Sequence, residues 1–198
     1  MMSPPVIRDR LRGVLESAPR AVVEPGTRPA SILIPILSST DEPRLVFTRR
    51  SDQLSRHAGE ISFPGGLIDD GEDAASAALR EAEEELGIAP ADVELLGAFE
   101  PVHTRVTGVL IVPFVGLLWR DPRFTPNAAE IAEVLEYPLP ELRARAATRD
   151  FEYEGHQYQT DLFDMDGNVI WGATARILRM FLDLLDAGSS PPENGGVP

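Results

Sequence analysis

The chain has 198 residues, enough for one domain of ordinary size that buries its own core. It has no Cys, and all 18 basic residues are Arg, so disulfides, thiolate metal sites, cysteine nucleophiles and every lysine-based chemistry are excluded. The formal charge of −14 argues against nucleic acid or an anionic membrane as partner. The absence of any apolar run near the roughly 18 residues of a membrane span, with Asp and Arg where a signal peptide would be apolar, predicts a cytoplasmic protein.

Residues 5–18 place Ile7, Leu11, Val14 and Leu15 at helical spacing, which predicts an amphipathic N-terminal helix and a candidate homodimer contact. A Pro-rich stretch from Pro19 to Pro29 follows. ASILIPIL (30–37) reads as a buried strand, SSTDEP (38–43) as a turn, RLVFTRR (44–50) as a second strand and EISF (60–63) as a third. Residues 72–86 predict the clearest helix: Ala and Glu dominate, acids crowd its start where the helix dipole favours them, and Gly87 follows as a stop. Its apolar stripe is Ala75, Ala78, Leu79, Ala82 and Leu86. Segments 93–100 and 108–119 read as strands, with Pro113 marking an edge or a bulge. Residues 130–139 fit a strand or a short helix. Residues 151–163 alternate polar and aromatic like a hairpin, and 173–186 form a terminal amphipathic helix. Hairpins outnumber plausible βαβ units, which predicts an α+β or mixed-sheet α/β sandwich. The expected division is a lead-in over 1–29, a main domain over 30–186 and a flexible tail over 187–198.

The helix at 72–86 has a second face. Glu81, Glu84 and Glu85 stand at i, i+3 and i+4 and project from one side. Like charges at such spacing cost roughly 0.2–0.5 kcal/mol per pair even in solvent. Either the three carboxylates disperse into water or they converge on a divalent cation; Mg2+ and Mn2+ favour carboxylate oxygen. FPGG (63–66) leads into the helix through an Asp-rich loop, and its glycines allow a ligand close to the backbone.

Residues 66–88 resemble the Nudix box, GX5EX7REUXEEXGU with U a bulky aliphatic. Gly66, Glu72, Arg80, Glu81, Glu84, Glu85 and Gly87 fill every fixed polar and glycine position, and Ala82 is smaller than the pattern asks. The resemblance implies an α/β/α sandwich with a mixed sheet between helices, and hydrolysis of a nucleoside diphosphate linked to another group. It implies Mg2+ or Mn2+ as cofactor, with Glu81, Glu84, Glu85 and the Gly66 carbonyl as ligands. It further implies that Glu81 helps to activate water, that Arg80 holds a Glu by an ion pair, with Glu84 at i+4, and that Glu72 braces the loop–helix junction. In some branches the base lies on a later loop, where Glu100, Glu130 and Glu133 are candidates.

Residues 47–66, FTRRSDQLSRHAGEISFPGG, are similar to the segment before the box in the coenzyme A pyrophosphatase branch, close to LLTxRSxxxRxxxGxxxFPGG. Thr48, Arg50, Ser51, Gly59, Phe63, Pro64, Gly65 and Gly66 match. The pattern's second Arg falls on Ser55, and this chain has Arg56 one place later. WGATARIL (171–178) also looks like that branch's last helix. Residues 44–63 carry +2 directly before a box of −7, in which one Arg faces eight acids. The expected substrate contacts are Arg50, Arg56, Ser51 and Gly65, since Arg forks grip phosphate oxygens bidentately. The implied partner is a small nucleotide, coenzyme A or a derivative, yielding 4′-phosphopantetheine and adenosine 3′,5′-bisphosphate. ADP-ribose or a related nucleoside diphosphate is the alternative, and a nucleotide-binding module without turnover a second. His57, His103 and His156 lack zinc-site spacing, with His57 a candidate substrate contact. Trp119 and Trp171 read as core or interface. Phe151, Tyr153 and Tyr158 read as hairpin alternation or as the lining of a pocket for adenine or pantetheine.

Overall fold

A computed structural model describes residues 4–16, 27–40, 42–55, 57–104, 108–153 and 156–187, with the side chains of 151–158 left out. Its centre is an eight-stranded mixed sheet. The path runs β3 (Ile61–Ser62), β2 (Arg44–Arg50), β1 (Arg28–Leu37), β7 (Val109–Leu118), β5 (Glu94–Ala98). β4 (Gly65–Leu67) adds to β1, β6 (Val102–His103) to β7 and β8 (Ile131–Pro138) to β2. β1 and β7 pair in parallel along their whole length, and the other pairs are antiparallel.

The alternation within β1 separates two cores. Leu33 and Leu37 face α2 (Ala74–Leu86), where Ala78, Ala82 and Leu86 pack with Phe114 and Leu118. Ile34 and Ile36 face the other way, towards Ile7 and Leu11 of α1 (Pro4–Arg12) and Leu178, Phe181 and Leu185 of α4 (Gly172–Ala187). Helices therefore cover both faces of the sheet, as the expected α/β/α sandwich requires. Ala82 lies in a fully buried stripe of small residues that lets α2 sit close on β1. A separate three-stranded sheet orders β11 (Asn168–Ile170), β10 (His156–Met165) and β9 (Ala146–Tyr153), and β10 contacts α4. Among the described residues, no helix is long and apolar enough to cross a membrane.

Several expectations change. The N-terminal helix stops at Arg12: Glu16 is already extended and exchanges two backbone hydrogen bonds with Ala98, at 2.8 and 2.7 Å, which turns Val14 outward. The main helix begins at Ala74, because Asp73 is its cap and accepts from the N–H groups of Ala75 and Ser76. Pro113 lies on an interior strand. Its carbonyl accepts from Phe99 N–H, so its missing donor faces the gap where the partner of β7 changes from β5 to β6. Segment 130–139 resolves as strand β8, while β4, β11 and the short α3 (Leu139–Ala144) had no periodic signal long enough to read. The tryptophans are not core: Trp119 is 43% and Trp171 53% exposed. Ala187, where the expected tail begins, ends α4; residues 17–26 and 188–198 lie outside the described residues, as do the side chains of Phe151, Tyr153 and Tyr158.

Candidate active site

The close contact between β4 and α2 organises the site. Gly65 and Gly66 pair with Ile32 and Ser31 of β1. A Cβ on Gly65 would lie 2.6 Å from Ile32 Cγ2, and one on Gly66 only 2.5 Å from Cδ and Oε1 of Glu81. Only glycine lets this backbone press against the carboxylate face of the helix. At the helix end Gly87 is left-handed (φ 71°, ψ 23°), and the N–H groups of Gly87 and Ile88 close on the carbonyls of Glu83 and Ala82.

Arg80 ties the carboxylates together. Its Nε and Nη2 donate to the two oxygens of Glu72 at 2.9 and 3.0 Å, its Nη1 donates to Glu81 at 2.8 Å and to Glu84 at 3.3 Å, and Nη2 reaches the Leu67 carbonyl. Glu72 also accepts from Asp69 N–H, so it braces the loop before the helix. The Arg80 hydrogen bonds hold the Glu72 carboxyl below its usual range. Glu72→Gln is expected to cut turnover about tenfold by loosening Arg80 and through it Glu81. Steady-state kinetics check this, and an unchanged kcat would show that the brace is dispensable.

Glu85 stands apart. It is 3% exposed, and its carboxylate accepts one long hydrogen bond, 3.3 Å from Gly65 N–H. Burial pushes it up to about 8, with the Glu81 and Glu130 charges adding and Gly65 N–H and Arg50 opposing. Glu81 is also raised, chiefly by burial and against the pull of Arg80. Glu84 is the exposed member of the three.

Arg50 ends β2 at a register shift against β8. Its Nε is buried without a hydrogen-bond partner, while its charge acts on Glu85. Arg49 turns the other way and pairs with Glu133 at 2.6 Å and Asn168 at 2.8 Å. The buried Ser51 donates its backbone N–H to the Glu130 carbonyl at 2.7 Å. Of the later-loop acids, Glu130 is held by Ser51 and its charge acts on Glu81 and Glu85, Glu133 is drawn off by Arg49, and Glu100 is exposed beyond β5. His57 contacts Glu60 through Nδ1 at 2.9 Å. Arg56 lies outside the described residues.

The donor set is wholly oxygen, as Mg2+ and Mn2+ prefer. A buried, poorly satisfied carboxylate beside a glycine pressed against a second carboxylate fits a divalent cation. Among the described residues no three acid or imidazole groups already form a metal-ligating array, since Glu81 and Glu84 lean on Arg80.

The NUDIX domain family matches residues 27–156. The chain belongs to the Nudix family. A relative from Pectobacterium atrosepticum described as "Uncharacterized Nudix hydrolase NudL" is 40% identical over 156 residues, covering 76% of this chain and 79% of its own. A Yersinia pestis relative of the same description is 40% identical over 155 residues, 77% of each chain. The fold is shared with DR0079 from Deinococcus radiodurans, at TM-score 0.54 and 20% identity over 80% of this chain and 88% of that one. It is also shared with a MutT/nudix family protein from Enterococcus faecalis, at TM-score 0.54 and 14% identity over 82% and 62%. The chain is therefore an enzyme, a Nudix pyrophosphohydrolase.

In this Nudix hydrolase sequence reasoning missed two features. The main partner of Arg80 is Glu72, eight residues back across the loop–helix junction, not Glu84 at i+4. The loop between β7 and β8 docks on the end of α2 through Thr125 N–H to the Leu86 carbonyl and Asn127 N–H to the Glu85 carbonyl, both 2.9 Å. Neither contact has a periodic signature; the only cue to the second is an Asn three residues before a Glu.

Proposed function

We propose that this Nudix hydrolase cleaves the diphosphate of coenzyme A or its derivatives, giving 4′-phosphopantetheine and adenosine 3′,5′-bisphosphate. Glu81, Glu84, Glu85 and the Gly66 carbonyl would hold Mg2+ or Mn2+. When bound, such a cation neutralises diphosphate oxygens and acidifies a water. Glu81 or Glu130 accepts the proton of the attacking water. Arg80 keeps Glu81 and Glu84 aimed, and Gly65 and Gly66 let β4 lie close on β1 and on the Glu81 carboxylate.

The observation that carries the reading is Arg50. It is a partly buried cation whose Nε has no hydrogen-bond partner, it stands where its charge reaches Glu85, and it lies in the segment that resembles the coenzyme A branch. A guanidinium so placed suits a phosphate oxygen. Ser51 fixes the backbone beside it, and Arg56 extends the basic segment. The substrate test is a panel of coenzyme A, its 3′-dephospho form and ADP-ribose with Mn2+. Coenzyme A is expected to turn over fastest, and rapid ADP-ribose hydrolysis with none of coenzyme A would reverse the assignment. Arg50→Ala is expected to lower kcat/KM for coenzyme A about a hundredfold, as for a lost charged hydrogen bond of up to about 3 kcal/mol. The 3′-dephospho form should suffer much less. Equal losses on both would remove the 3′-phosphate from the role of Arg50.

A further inference from the structure

The loop that joins β7 to β8 is bonded to the catalytic helix at one end and to the end of β2 at the other. A helix leaves its last carbonyls without partners. Gly87 and Ile88 bond the carbonyls of Glu83 and Ala82, and the loop satisfies the last two of the helix, Leu86 through Thr125 N–H and Glu85 through Asn127 N–H. Gly87 makes this docking possible: a Cβ there would run into the Thr125 side chain.

Asn127 carries most of the connection. Its N–H bonds the Glu85 carbonyl at 2.9 Å, and its own carbonyl accepts from Glu130 N–H at 2.9 Å and Ile131 N–H at 2.8 Å. Its side-chain oxygen accepts from Ala129 N–H at 3.2 Å, and its Nδ2 donates to Glu130 Oε1 at 3.2 Å. An amide donor on one side and a carboxylate on the other fix which end of the side chain is oxygen. The Glu130 backbone is held from the opposite side by Ser51 N–H. These bonds seat Glu130 between the end of α2, through Asn127 and the Glu85 carbonyl, and the residue after β2, through Ser51. One residue therefore touches the backbone of a box glutamate and the carboxylate of a loop glutamate.

We infer that Asn127 is a positioning residue: by holding Glu130 from the end of α2 it sets the loop carboxylate against Glu81 and Glu85 and so controls turnover. The inference rests on the proposed role of the box carboxylates, and it is independent of which diphosphate is cleaved. Asn127→Asp is the sharpest variant, because it keeps the acceptor for Ala129 and every backbone bond but cannot donate to Glu130.

The test is a double-mutant cycle of Asn127→Asp and Asn127→Ala with Glu130→Gln, run on whichever diphosphate the wild-type enzyme cleaves fastest. Failure of the coenzyme A assignment would show in the choice of substrate and leave the cycle intact. Both Asn127 variants are expected to lower kcat about tenfold, the effect of one charged hydrogen bond, with KM within about twofold. In the Glu130→Gln background neither should cause a further loss. Wild-type kcat in Asn127→Asp would reduce Asn127 to a turn former, and equal losses in both backgrounds would mean that it does not act through Glu130. A crystal structure of Asn127→Ala adds a readout without activity: Glu130 is expected to leave its place, and an unmoved Glu130 would overturn the inference.

Discussion

Glu85→Gln is expected to lower turnover about a thousandfold while making the metal-free protein more stable than wild type above neutral pH. The first effect follows if Glu85 supplies a cation-binding oxygen, since metal stabilisation of developing charge is worth several kcal/mol, or about three powers of ten in rate. The second follows from burial. The ordinary value of the group is 4.5 and the folded protein pushes it up to about 8. Between these values the folded state keeps a proton that the unfolded chain releases. The stability this gives is fully present below about pH 4.5 and is lost as pH rises through about 8, by at most about 1.4 kcal/mol per pH unit. Gln has no such loss. Denaturant unfolding in EDTA at pH 5 and pH 8 should therefore show the variant gaining on wild type with pH, and Mg2+ should restore the wild type alone. Turnover within tenfold of wild type would remove Glu85 from the ligand set.

Gly66→Ala is expected to cost about a hundredfold in kcat with a smaller effect on folding. The added methyl would stand 2.5 Å from the Glu81 carboxylate, so that carboxylate must move. Relief requires the Glu81 carboxylate to swing from its 2.8 Å contact with Arg80, which costs little stability because it is the free end of a flexible side chain. Thermal unfolding and kinetics on the same sample separate the two effects. A kcat within threefold of wild type would show that the glycine does not set the position of Glu81.

Much of this architecture is legible in the residues. The Ala-rich stripe of α2, Gly87 and the strands over 30–37 and 44–50 carry strong local signals, and the structure keeps them. The fixed spacing from Gly66 to Ile88 carries the family. What escaped reading is tertiary. Val14 leaves the helical pattern because Glu16 finds a strand partner eighty-two residues on, at Ala98. Arg80 prefers Glu72 because a turn, invisible to helical periodicity, brings it back. Arg49 and Arg50 look alike in sequence, yet as neighbours on β2 they point to opposite faces, one to Glu133 and the other beside Glu85. The overall charge of −14 also divides: half of it lies in the box, where Glu81, Glu84 and Glu85 make it a cation site under the proposed function. The enzyme would then meet its small polyanion through cations and Arg50 despite its net charge.

That division yields the central test. Mn2+ binding followed by electron paramagnetic resonance, with coenzyme A hydrolysis measured on the same samples, compares wild type with Glu84→Gln and Glu85→Gln. Each variant is expected to weaken Mn2+ binding at least tenfold and to lose turnover in parallel. Unchanged Mn2+ affinity and turnover in both variants would contradict that expectation and remove Glu84 and Glu85 from the cation site.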